Sequence, residues 1–229
     1  MNNVKKSIGW TDFTINPVKG LCPVGCSFCY ARRMYKRFKW NPEIRYISSA
    51  FDRLSRVKEP SRVFVGSTME LFGEWVSQSF LSNIFSLVKL YPQHTFIFLT
   101  KRPKNLAKWS PFPDNCWIGV SVCNDKMLDV AVDKLEDIQA SVKFISFEPL
   151  LEKLTLSLDY AFYYSGISWC IIGQQTPANA RTTPKIEWVK EIVEAADRAG
   201  IPVFLKDNLE SLMTVDNINW MKRQEFPKC

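Results

Sequence analysis

Thr95-Phe96-Ile97-Phe98-Leu99-Thr100-Lys101-Arg102 is an unbroken apolar run of β-formers that stops at two cations. A strand with one wet face alternates apolar and polar residues. A run without alternation needs cover on both faces. The same form recurs at Arg62–Gly66, Trp117–Val122, Val142–Phe147, Trp169–Gly173 and Pro202–Leu205. The runs begin about 20 to 35 residues apart, the length of a βα unit. A further strand around Gly9–Ile15 brings the number to about seven. Helical patterns fill the gaps. Ser79–Leu90 places Phe80, Ile84, Leu87 and Val88 on one face, and Lys126–Ile138 repeats Met127, Val130, Leu135 and Ile138. Pro184–Ala199 opens with Thr183 as N-cap and Pro184 at N1, and stops at Gly200-Ile201-Pro202.

This alternation defines an α/β chain with a parallel sheet covered on both faces. Six to eight βα units fit an incomplete (β/α) barrel or an open doubly wound sheet. No G-x-G-x-x-G follows a strand and no G-x-x-x-x-G-K-[ST] occurs, so a dinucleotide fold and a P-loop are unsupported. Residues 1–229 read as one domain, with those after 208 as a short cap. Of the 229 residues, 46% are hydrophobic and 23% charged, enough for an ordinary core. No apolar run approaches the roughly 20 residues that span a bilayer, and the start lacks an apolar signal region. The expectation is a cytoplasmic protein without a membrane span.

Charge and cysteine are unevenly placed. The net charge is +7, yet residues 1–62 hold 13 Lys/Arg against 4 Asp/Glu, and the remainder 17 against 19. A localised excess points to an anionic partner near that end. Seven cysteines, an odd number without a leader, favour metal or redox chemistry over a disulfide framework. The single His94 excludes a His-rich zinc site, an HExxH protease or a two-histidine iron site within one chain. At the start of an apolar strand it reads as structural.

Cys22, Cys26 and Cys29 form a C-x3-C-x2-C run. Three thiolates on a short loop are soft ligands for zinc or an iron–sulfur cluster. A closed zinc site wants a fourth ligand, for which Cys116, Cys123, Cys170 and Cys229 are the remaining thiols. Otherwise these four read as small buried hydrophobes. Three ligands suit a [4Fe–4S] cluster with one open iron. Polar residues follow the apolar runs in phase: Ser67-Thr68-Met69-Glu70, Thr100-Lys101-Arg102, Cys123-Asn124, Glu148-Pro149, Gln174-Gln175 and Lys206-Asp207. Parallel α/β folds place their chemistry at these carboxyl ends.

The cysteine spacing, with Tyr30 after it and a first strand before it, resembles the radical S-adenosylmethionine (SAM) superfamily. More particularly, the chain resembles the bacteriophage-associated three-Cys-motif proteins of unassigned function, which are similar to spore photoproduct lyase and DNA repair photolyase. The matching stretches include Ile8–Asp12 with Asn16–Val18, Gly25–Ala31, Leu99–Pro103, Gly119–Val122, Phe147–Leu150 and Phe204–Lys206. The resemblance implies a TIM-barrel-like radical SAM fold in which the three cysteines hold a [4Fe–4S] cluster. It implies that the open iron chelates SAM and that an electron from an external donor yields a 5′-deoxyadenosyl radical. Tyr30, Ser67, Thr68, Glu70, Lys101, Arg102, Ser121 and Gln174 would then contact the cofactor. Lys101 and Arg102 could equally bind a phosphate. Glu148, Lys206 and Cys123 would line the reacting space, with Cys123 able to give up a hydrogen atom. The chain departs from the family pattern at Gly173-Gln174-Gln175, where Gly-Gly-Glu is usual, and at Cys123, where an acid is usual.

After the cluster motif, Ala31–Trp40 interleaves aromatics with Arg33, Lys36 and Arg37. That composition suits DNA or RNA, by stacking and phosphate contact. Three readings stand: a radical SAM enzyme on nucleic acid, one on another substrate, or a non-catalytic protein with a structural iron–sulfur or zinc site.

Overall fold

The computed structural model describes residues 1–228, exclusive of the Lys6 side chain; Cys229, one of the candidate fourth ligands, lies outside the described residues. In chain order the strands are β1 (Asn2–Asn3), β2 (Phe13–Ile15), β3 (Val18–Lys19), β4 (Arg45–Tyr46), β5 (Arg62–Val65), β6 (Thr95–Thr100), β7 (Cys116–Ser121), β8 (Val142–Phe147), β9 (Trp169–Ile172) and β10 (Val203–Leu205). The helices are α1 (Lys5–Ile8), α2 (Tyr30–Phe38), α3 (Gln78–Lys89), α4 (Asp125–Glu136), α5 (Leu158–Ser165), α6 (Ile186–Arg198) and α7 (Ile218–Met221). The main sheet has eight strands in the order β1-β2-β5-β6-β7-β8-β9-β10. Every pairing from β2 to β10 is parallel, and β1 alone runs antiparallel. The architecture is mixed α/β. Among the described residues no ladder joins β1 to β10, so no closed barrel forms. No helix among them is long and apolar enough to cross a membrane.

Both sheet faces are covered, by different material. Strand alternation splits each apolar run in two. Val63, Phe96, Phe98, Ile118, Val120, Ile145 and Ile172 join the helices in one large core. The intervening Ile97, Trp117, Phe144, Trp169, Ile171 and Phe204 form a second cluster with Trp10, on the other side. The helices α3, α4, α5 and α6 lie on the first face. Their buried stripes are Leu81, Ile84, Phe85, Val88 on α3 and Leu128, Ala131, Val132, Leu135 on α4, each at i, i+3, i+4, i+7. The sequence reading put these stripes slightly off, on Phe80 and Leu87 and on Met127 and Val130. The N-terminus of α6 also differs: Lys185 is the N-cap and makes no side-chain cap bond, so Thr183 and Pro184 precede the helix. The helix α5 and the short β1, β3 and β4 had no sequence signal of their own.

The second face is concave. Trp10, just before β2, lies 4.9 Å from the Phe64 ring of β5 and 6.4 Å from Trp169 of β9, near the far edge of the sheet. Such contacts require the sheet to curl. The C-terminal segment fills the remaining gap at its foot. Gln224 bridges Phe204, and the Phe226 ring sits 5.5 Å from Trp169, with the Arg62 guanidinium 3.7 Å over it. Gly119 makes the curl tight, because a Cβ there would stand 2.2 Å from the Phe144 ring.

Candidate functional site

Seven parallel strands deliver their carboxyl ends to one rim. Counting in twos along the concave face shows which rim residues turn inward. Thr14 leads to Asn16, Leu99 to Lys101, Ser121 to Cys123, Phe144 and Ser146 to Glu148, Ile171 to Gly173 and Phe204 to Lys206. Contacts agree with the count. Glu148 and Lys206 form a salt bridge with side chains only 22% and 15% exposed. Gly173 lies directly beneath: a Cβ would be 3.0 Å from Lys206 Cδ and 3.3 Å from Glu148 Cδ. Any side chain at 173 would push the pair apart, which gives the glycine its place here.

The cysteine loop stands at the same rim. Cys22, Cys26 and Cys29 are free and half-buried. Gly25 takes φ +69°, a left-handed turn that a side chain would strain. Cys29 caps α2, its Sγ accepting from the Arg32 N–H at 3.4 Å. The Arg32 side chain returns to Cys22, donating to its carbonyl at 2.6 Å. Burial pushes the Cys26 thiol up, and the Lys101 charge opposes this while the other two cysteines add to it. Lys101 Nζ also lies 5.9 Å from the Phe28 ring centroid. Burial pushes the Cys123 thiol up to about 11, and it too feels Lys101, Cys26 and Glu148. Lys101, Cys123, Glu148 and the cysteine loop therefore share one mouth.

Tyr30 closes one side. Its hydroxyl donates to the Ser67 carbonyl at 2.7 Å. Desolvation of that end raises its pKa, helped by Cys29 and Glu148. Asn16 is the hub beneath. Its Oδ1 accepts from Thr68 N and Thr68 Oγ1, both at 3.1 Å, and its amide donates to Ser67 Oγ at 3.2 Å. Ser67 and Thr68 thus serve the rim through Asn16.

Other candidates point elsewhere. Glu70 is buried beneath the rim. It accepts from Phe72 N at 3.0 Å, Thr100 Oγ1 at 2.6 Å and Lys101 N at 2.7 Å. It ties the ends of β5 and β6 together. Burial holds it above the usual carboxylate range despite these donors. Arg102 turns outward over Trp75, 5.5 Å from its centroid. Gln174 is buried against Asn208 and Ser211. Ser121 is buried one step below Cys123, with Ser146 beside it, whose hydroxyl has no partner. Arg33, Lys36 and Arg37 are exposed on α2, and Arg33 donates to the Thr176 carbonyl at 2.8 Å. Cys116 and Cys170 are buried in the helix-side core, consistent with small apolar roles. His94 is buried between Tyr91 and Phe96.

Sequence reasoning gave no role to Asn16, Phe28 or Gly173. Counting by two past each strand end finds Asn16 and Gly173; Phe28 carries no comparable signal. Among the described residues no group of three or more His, Cys, Asp or Glu side chains stands in an arrangement that could hold a metal ion. The donor set nonetheless has the chemistry for one: three free thiols on one loop, with a lysine beside them. No curated protein matches the chain. The family described as Protein of unknown function (DUF5131) matches residues 5–220, and this protein belongs to that family.

Proposed function

We propose that the protein is a radical SAM enzyme acting on nucleic acid, on a TIM-barrel-like but incomplete (β/α) scaffold. The observation that carries the reading is the free, half-buried cysteine triad at the carboxyl rim, sharing the mouth with Lys101, Cys123 and Glu148. Cys22, Cys26 and Cys29 would hold a [4Fe–4S] cluster. When bound, the cluster supplies the electron for reductive cleavage of SAM. Lys101 offsets the thiolate charge. Glu148 and Lys206 offer paired opposite charges to a zwitterionic ligand. Cys123, protonated at neutral pH, keeps a hydrogen on sulfur facing the mouth. The aromatic floor of Trp10, Phe144 and Trp169 excludes water below.

The test is anaerobic reconstitution with iron and sulfide, followed by reduction in the presence of SAM. The expected result is a brown protein with equal iron and sulfide that releases 5′-deoxyadenosine. A colourless protein that binds one zinc tightly and leaves SAM intact overturns the reading.

A further inference from the structure

We propose that the carboxyl end of α2 grips single-stranded nucleic acid, with Phe38 and Trp40 as its stacking platform. The inference deepens the nucleic-acid part of the function above and is independent of the cluster. Phe38 and Trp40 are 51% and 43% exposed, although both are large and aromatic. Their rings stack on each other at 5.5 Å and 22°. The Arg37 guanidinium lies 5.3 Å from the Phe38 ring. The platform is braced from below. Tyr35 meets Trp40 edge-on at 5.3 Å, and the Tyr35 hydroxyl accepts from the Gly20 N–H at 2.8 Å. Lys39 takes φ 49°, the left-handed region that a lysine rarely enters. That turn ends the helix and brings Trp40 back, with its N–H donating to the Tyr35 carbonyl. A strained residue here serves to hold an indole out in water.

Charge selects the partner. Between Asp12 and Asp52 the chain has seven Lys/Arg and one acid, Glu43. Lys36, Arg37 and Lys39 are exposed around the rings. A cationic patch alone attracts any polyanion; rings standing out of it select a polyanion with flat faces to stack. Duplex bases already have their faces covered, so the platform favours unpaired ones. Geometry links the platform to the mouth. Helix α2 starts at its Cys29 cap. The nine residues to Phe38 span about 14 Å at 1.5 Å each. That equals about four nucleotides at the stacked spacing of roughly 3.4 Å. A strand stacked at Trp40 and passing Arg33 and Tyr30 would deliver a nearby base to the rim, a span within single-strand site sizes.

The test is fluorescence anisotropy of the full chain with a labelled oligothymidine, a hairpin duplex of equal length and polyglutamate. The oligothymidine should bind about tenfold more tightly than the hairpin, since stacking contributes about 1–3 kcal/mol per base. Phe38→Ala and Trp40→Ala should each lose about tenfold without changing the salt slope. Lys36→Ala with Arg37→Ala should flatten that slope by about 1.4. Phe38→Ala, which removes no brace, keeps the test valid if Trp40→Ala lowers the melting temperature. Equal affinity for the hairpin or polyglutamate, or unaffected ring variants, overturns the inference. No oligonucleotide binding beside intact SAM cleavage removes the inference and the nucleic-acid substrate but spares the cluster. Tight single-strand binding without SAM cleavage supports the inference and removes the radical SAM activity.

Discussion

Gly119→Ala should destabilise the protein by about 2 kcal/mol, although it adds a single methyl group. The added Cβ would stand 2.2 Å from Phe144 Cζ, against 3.4–4 Å for ordinary contact, so the ring must retreat by at least about 1.2 Å. Neither side can give easily. Gly119 pairs with Leu99 of β6 and with Phe144 itself in β8, which holds its backbone on both sides. The Phe144 ring is fully buried, 5.2 Å from Trp169, which in turn packs on Trp117, Phe204 and Phe226. Overpacking of this kind costs about 1–3 kcal/mol. Removing a glycine from the unfolded chain offsets about 0.4–1 kcal/mol of this, so a clash at the upper end of the overpacking range leaves a net loss of about 2 kcal/mol. Urea unfolding should show a lower midpoint at unchanged slope, and a melting temperature down by about 4–8 °C. Phe144→Leu alone should cost about 1–2 kcal/mol, from the lost apolar atoms and the cavity they leave. The double variant should be more stable than the sum of the two losses by about 1 kcal/mol or more, because the smaller side chain vacates the space the methyl needs. A neutral or stabilising Gly119→Ala, or strict additivity, would refute the packed concave face, and with it the curl that gathers the rim residues into one mouth.

Three further outcomes are expected. Cys26→Ala should abolish cluster assembly in anaerobic reconstitution, read as loss of protein-bound iron and sulfide; full occupancy in that variant would refute the ligand assignment. Pulse alkylation at pH 8 should label Cys22, Cys26 and Cys29 well before Cys123. The Cys123 thiol is pushed up to about 11, so it stays protonated until the pH nears that value, and only about one molecule in a thousand carries the thiolate at pH 8. Early labelling of Cys123 by mass spectrometry would contradict its burial. Arg33→Ala should speed proteolytic nicking of residues 174–185, because the bond from Arg33 to the Thr176 carbonyl anchors that loop to α2; unchanged nicking would show that the loop is held elsewhere.

The strands were legible because each is a local run of β-formers. Thr95–Thr100 and Val142–Phe147 appear with the bounds read from the residues, and four others agree within one residue; the first, read around Gly9–Ile15, starts only at Phe13. The helices α3, α4 and α6 were legible from their period, but the buried stripe was not. Phe80 and Leu81 are both apolar, and only the sheet beneath decides that Leu81 turns inward. The α6 start was misread because Thr183-Pro184 has cap chemistry, whereas residues 174–183 leave β9 as an irregular loop and the helix starts later. Helix α5 was missed because Leu158–Ser165 carries tyrosines on its exposed side, so no apolar period stands out.

Local chemistry settled the alternation of strands and helices, the cysteine loop and the basic quarter of the chain. Each is written within a few consecutive residues, as a period, a spacing or a charge count. Membership of the mouth was a matter for the tertiary structure. Lys101 turns in and Arg102 turns out, because adjacent strand residues face opposite sides. Glu148 meets Lys206 across 58 positions of sequence because β8, β9 and β10 are neighbours, and Gly173 between them leaves the space. Glu70 resembles a ligand in sequence, yet three donors of the rim itself claim it. Parity and long-range pairing depend on the register of a curled sheet, which no short stretch of residues encodes alone.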